Sequence, residues 1–170
     1  MASDFLKVPT AETQTSLGPV KLPVLYSDGA SLLAFFWVDA AKAARQLEGT
    51  GLEPARFPGG RALHGLAFYD YRETAIGPYH EVGSALAVQP VGQAASMLDL
   101  FRPPAGRRLG FRILDLPVST SIANAAGREI WGYPKFVTDL PQRYDPGAFS
   151  GAVMAPGGGE ILRLEGRARW

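Results

Sequence analysis

Lys135 is the residue of this chain whose neighbours point most directly to chemistry. It sits in Ile130-Trp131-Gly132-Tyr133-Pro134-Lys135-Phe136-Val137, with aromatic or aliphatic residues on both sides. An amine held among apolar groups loses the hydration of its charged form, which makes the neutral nucleophile available. The same spacing also fits a lysine whose stem lies on apolar residues while its ammonium reaches water. Other chemistries are excluded by residue type. There is no cysteine, hence no disulfide, thiolate nucleophile or cysteine zinc site. His64 and His80 are the two histidines, too few for a multi-histidine metal centre within one chain. No serine-nucleophile elbow, phosphate-loop or zinc-protease motif occurs, and Gly157-Gly158-Gly159 reads as a turn.

Gly127-Arg128-Glu129-Ile130-Trp131-Gly132-Tyr133-Pro134-Lys135 resembles the stretch G-R-E-x-x-G-x-P-K of acetoacetate decarboxylases. In that family the lysine after proline forms the Schiff base. Upstream, Gly77-Pro78-Tyr79-His80-Glu81-Val82 resembles the family's G-P-Y-x-E segment, whose glutamate lines the active site. Acetoacetate decarboxylase is itself a standard example of a lysine activated by desolvation or a neighbouring cation. The resemblance implies that Lys135 attacks a keto-acid carbonyl and that Glu81 shuttles protons or orients the substrate. Left to itself, Glu81 would be a solvated strand carboxylate. Arg128 is a candidate for a substrate carboxylate; alternatively Arg128 and Glu129 form an ion pair that holds the lysine loop. Tyr79, Trp131 and Tyr133 are candidate pocket walls, although such aromatics also serve as core. No metal or organic cofactor is implied.

Two positions depart from the family pattern. Phe136 stands where a second lysine often follows the nucleophile, which leaves desolvation to act alone, and Tyr26 to Ala30 contains no arginine. The chain also ends about 35 residues after Lys135, which implies an incomplete barrel whose open edges call for a partner subunit or a smaller closed sheet, and a homo-oligomer is the reading preferred. Three readings follow: a β-keto acid decarboxylase, an aldolase or dehydratase using the same lysine, or a non-catalytic small-molecule-binding β protein.

The elements that must position these residues read as follows. Residues 1 to 30 look extended and irregular, with Pro9, Pro19 and Pro23 forbidding a helix and Asp28-Gly29 marking a turn. Ser31 to Val38 fits a buried strand, and Asp39 caps a helix over Ala40 to Glu48 that stops at Gly49. Strands are expected at Leu63 to Arg72 and Tyr79 to Val91, broken at Gly77-Pro78, and again near Leu109, Phe111 and Ile113. A short helix is expected around Gln93 to Phe101, and another over Ser119 to Ala126 ending near Gly127. Phe149 to Met154 and Ile161 to Trp170 close the chain as a strand pair, with Leu162, Leu164 and Trp170 on one face.

The fold expected is therefore mainly β (α+β): one domain over residues 1 to 170, an antiparallel sheet or partial barrel with a few short helices. Hydrophobic residues make up 46% and the formal charge is +1, a globular composition without the basic excess of nucleic-acid or anionic-membrane partners. Neither a secretory leader nor an apolar run of membrane-spanning length is present, so a cytoplasmic location is expected.

Overall fold

A computed structural model describes residues 7–93, 99, 102, 103, 106 and 108–167. Strands dominate, as expected, in the order β1 (Ala11–Thr15), β2 (Gly18–Leu22), β3 (Tyr26–Asp39), α1 (Ala40–Arg45), β4 (Leu52–Pro54), β5 (Arg61–Thr74), β6 (Tyr79–Pro90), β7 (Gly110–Val118), α2 (Ser121–Trp131), β8 (Lys135–Val137), β9 (Gln142–Asp145), β10 (Ala148–Met154) and β11 (Glu160–Arg167). β1 and β2 form a two-stranded sheet, β11-β10-β9 a three-stranded one, and β3-β5-β6-β7-β8 a larger sheet in which β4 also pairs with β6. These sheets do not close into a barrel among the described residues. β1–β2, β9–β10, β10–β11 and β4–β6 pair antiparallel, whereas β8 runs parallel to β7, with Lys135 opposite Leu116.

The chain divides into two compact units. The first takes the described residues within Met1–Leu32, Phe68–Val82 and Leu116–Trp170; the second is Leu33–Ala67 with the described residues of Gly83–Asp115. In the first unit, Tyr79, Val118 and Ala123 form a buried cluster beneath Tyr71 and Ile76. Phe68 packs edge-on against Phe149, their rings 5.1 Å apart. In the second unit, Ala43 and Leu47 pack on Ala62, Leu86 and Val88.

Several sequence expectations are corrected. Residues 11–22 form a hairpin rather than irregular chain, because Pro19 lies opposite Gln14 in a two-stranded sheet, where a proline is tolerated. Asp28-Gly29 is not a turn but part of β3. A Cβ on Gly29 would stand 2.8 Å from the Asp70 carbonyl oxygen, so the glycine permits a close backbone approach. Ser31 to Val38 is strand, yet it is not buried: β3 is an edge strand, and Leu33, Phe35 and Trp37 alternate along an exposed face.

Asp39 caps α1 as expected, its Oδ1 accepting the Lys42 N–H at 2.8 Å. The helix is shorter than the sequence implies, because the N–H groups of Gln46 and Leu47 bond three residues back, tightening the last turn. Conversely, α2 does not end near Gly127 but runs on to Trp131. Most of the short helix expected around Gln93 to Phe101 (all but Gln93 and Asp99), and Trp170 at the chain's end, lie outside the described residues. β11 pairs with β10 through the glycine turn, with Leu162 and Leu164 half-buried and the rest of the strand exposed.

Candidate functional site

All the residues of this site belong to the first unit. α2 ends at Gly132, whose left-handed backbone (φ 67°) reverses the chain. The Tyr133 N–H then donates to the Gly127 carbonyl at 3.0 Å. Pro134 stops further helix, and Lys135 opens β8 beside β7. Arg128, from the last turns of α2, donates from Nη1 to the Lys135 carbonyl at 2.8 Å. The backbone of the lysine is thus held from the helix that precedes it.

The side chain turns inward. Lys135 is 7% exposed and its Nζ donates to Glu81 Oε2 at 2.5 Å. Glu81, 8% exposed, lies on β6 two residues after Tyr79, so both project from the same face of the strand. The amine sits 5.8 Å from the centroid of the Tyr79 ring, within range of a cation–π contact. His80, between them, serves the other face. Its Nδ1 is 2.8 Å from the Leu140 carbonyl, its Nε2 is 3.3 Å from Asp70 Oδ1, and its backbone N–H donates to Ser119 Oγ at 2.8 Å. These contacts tie down the segment of β6 that carries Glu81.

Around the pair is a cluster of phenols. The hydroxyls of Tyr79 and Tyr26 are hydrogen-bonded at 2.9 Å. The Tyr71 ring lies 4.6 Å from that of Tyr26 and 4.9 Å from that of Tyr79, and Tyr69 stacks on Tyr71 at 5.3 Å. Burial, then the hydrogen bond with Tyr26 and the charge of Glu81, holds the Tyr79 hydroxyl far above the ordinary phenol range. Burial followed by Glu81 does the same for Tyr71, and raises Tyr69 less. Tyr26 is also raised, chiefly by burial and against the pull of its Tyr79 hydrogen bond. All four phenols are therefore neutral hydrogen-bonding groups near neutral pH, and the charge of Glu81 reaches each of them.

Of the residues singled out in the sequence, the structure brings Lys135, Glu81 and Tyr79 together and sets Arg128 behind the lysine backbone. The anticipated Arg128–Glu129 ion pair is not formed. Adjacent helical residues project about 100° apart, and Glu129 instead accepts hydrogen bonds from Ser16 Oγ at 2.5 Å and Ser16 N–H at 2.8 Å. Those bonds hold its carboxyl below the usual range. Trp131 and Tyr133 are exposed rings, 6.5 Å apart. The nearest partner of Lys135 is the Glu81 carboxylate. An ammonium so paired becomes a nucleophile only after giving up a proton, and Glu81 Oε2 is placed to receive it.

Tyr26, Tyr69 and Tyr71 were not found from the sequence. The alternation of Tyr69 and Tyr71 beside the Tyr79 strand was a usable signal, whereas Tyr26 had none. An open hollow of about 330 Å³ borders Tyr71 and Tyr79 beside His80, and neither Lys135 nor Glu81 lines it. Among the described residues no cluster of three or more histidine or acidic side chains could hold a metal, and no helix is long and apolar enough to cross a membrane.

The family model for acetoacetate decarboxylase (ADC) matches residues 7–169. The fold is similar to the crystal structure of acetoacetate decarboxylase from Legionella pneumophila, with a TM-score of 0.66 and 15% identity over 94% of this chain and 54% of that one. A further acetoacetate decarboxylase structure aligns with a TM-score of 0.61 and 17% identity over 84% of this chain and 50% of its own. The enduracididine biosynthesis enzyme MppR, complexed with the condensation product of pyruvate and imidazole 4-carboxaldehyde, aligns at 0.57 and 19% identity over 81% of this chain and 53% of its own. The chain thus spans about half the length of each of these structures. No curated protein matches the sequence.

Proposed function

The chain belongs to the acetoacetate decarboxylase family, and from that premise we propose that Lys135 is the amine nucleophile of a Schiff-base lyase, most simply one that decarboxylates a β-keto acid. The observation that carries this reading is the buried Lys135–Glu81 pair. Glu81 takes a proton from the Lys135 ammonium, and the neutral amine adds to the substrate's ketone carbon. The proton returns as the carbinolamine loses water, leaving an iminium. The bond to the carboxylate carbon then breaks and its electron pair flows into the iminium, releasing carbon dioxide and an enamine. Protonation of the enamine at carbon and hydrolysis regenerate the amine. The neutral phenols around Glu81 supply hydrogen bonds to the carbonyl oxygen and to the departing water. Tyr79 walls the site and Tyr26 stands at its more exposed side. The apolar stripe Leu33, Phe35 and Trp37 supports assembly as a homo-oligomer.

A second reading keeps the lysine and changes the bond that is made. An enamine formed at Lys135 from one carbonyl compound attacks the carbon of an aldehyde, and water is lost from the product. Two observations support it: the Arg128 guanidinium is engaged by the lysine's own carbonyl, and the groups gathered around the amine are phenols. Borohydride reduction with acetoacetate, pyruvate and a panel of aldehydes, followed by peptide mapping, tests both readings. Label at Lys135 is expected, and release of carbon dioxide separates the first from the second. Label on no lysine, or on others in preference to Lys135, would overturn both.

A further inference from the structure

We infer that Gly127 is a positioning residue for Lys135: the space left by its missing side chain is the slot that seats the lysine stem and so sets Nζ against Glu81. The inference rests on the reading of Lys135 as the nucleophile. Glycine is a poor choice inside a helix, where alanine is the better former. The Gly127 backbone does not require it, since this residue is not among those with positive φ. Space is the reason. A Cβ built on Gly127 would stand 2.5 Å from Lys135 Cε and 3.2 Å from Cγ, and it would also collide with Cδ.

The stem cannot easily give way, because both its ends are held. The Lys135 carbonyl is bound by Arg128 and Nζ by Glu81. To restore an ordinary contact of 3.4 Å at Cε, the methylenes would have to move by about 1 Å. A misplacement of that size at a reacting group costs on the order of 10²-fold in rate.

The test uses the whole chain with Gly127→Ala, Lys135→Ala and the double variant. Borohydride trapping with acetoacetate, pyruvate and a small aldehyde gives the labelling rate at Lys135, and thermal melts are read alongside. The parent should label at Lys135, and Gly127→Ala should label about 10²-fold more slowly per folded molecule, which a purely structural role would not produce. With the stem removed by Lys135→Ala, adding Gly127→Ala should raise Tm by about 2 °C, because only the helix-propensity gain remains. Should Gly127→Ala alone fail to fold, a double variant that melts at or above Lys135→Ala supports the slot, and one that melts below Lys135→Ala overturns it. Trapping at the parent's rate, or an equal loss of Tm with and without the lysine stem, also overturns it. If the parent itself labels nowhere, the Schiff-base reading fails, while the thermal comparison still decides whether the slot exists.

Discussion

Replacing Lys135 by methionine keeps most of the stem's volume and removes the charge, leaving the Glu81 carboxylate buried among tyrosines without its partner. The structure decides which energetic regime applies. An exposed ion pair is worth about 0–1 kcal/mol, but these side chains are 8% and 10% exposed with Nζ 2.5 Å from Oε2. Removing one member of a buried pair costs about 3–5 kcal/mol, because the charge left behind is uncompensated. For a chain of this size that corresponds to a fall in Tm of roughly 6–20 °C. Glu81→Gln strands the lysine in the same way. The double variant Lys135→Met/Glu81→Gln leaves neither charge, so its loss should fall short of the summed single losses by about 2 kcal/mol or more. Denaturant melts of all four proteins give this coupling. Single effects that add within about 0.5 kcal/mol would refute the picture of an enclosed pair.

Arg128→Ala should lower the trapping rate at Lys135 by a similar factor for every carbonyl probe, because the Arg128 contact is to the lysine's own backbone. An effect confined to keto acids, with aldehydes unchanged, would instead assign the guanidinium to the substrate carboxylate. The Tyr144 phenol, which donates to the Phe68 carbonyl at 3.0 Å, is pushed up to about 12, first by burial and then by the charge of Asp70. The native state therefore holds this proton more tightly than the unfolded chain. The stability it contributes is full below the unfolded value near 10 and is lost as pH rises from there through about 12. Stability measured across that window should fall less steeply in Tyr144→Phe, and identical slopes would refute the assignment.

Much of the local structure was legible because it depends on residues close in sequence. The Asp39 cap, the turn at Gly77-Pro78 and the glycine turn between the last two strands each follow from backbone geometry or a side chain within three residues. The extents of α1 and α2 were less legible. Gly127 has the residue type of a helix stop, but its purpose concerns a lysine that returns to pack against it from β8. Gly29 resembles a turn residue in the same way, yet it answers to the approach of the Asp70 backbone. In both cases the cause is a contact between segments, which local propensity does not encode.

By itself, the sequence determined the mainly β character, the family, and the two segments that carry Lys135 and Glu81, because these reside in composition, alternation and short motifs. Only the tertiary structure decided what surrounds the amine. It joined Lys135 to a carboxylate 54 residues away and gathered Tyr26, Tyr69 and Tyr71 from two further strands. It also sent Arg128 to a backbone carbonyl and Glu129 to Ser16, and left the most apolar strand at an edge. Hydrophobicity states what a residue would gain by burial, but strand order decides which residues are covered. The environment of a charged group likewise depends on partners that the chain brings together only when its sheets form.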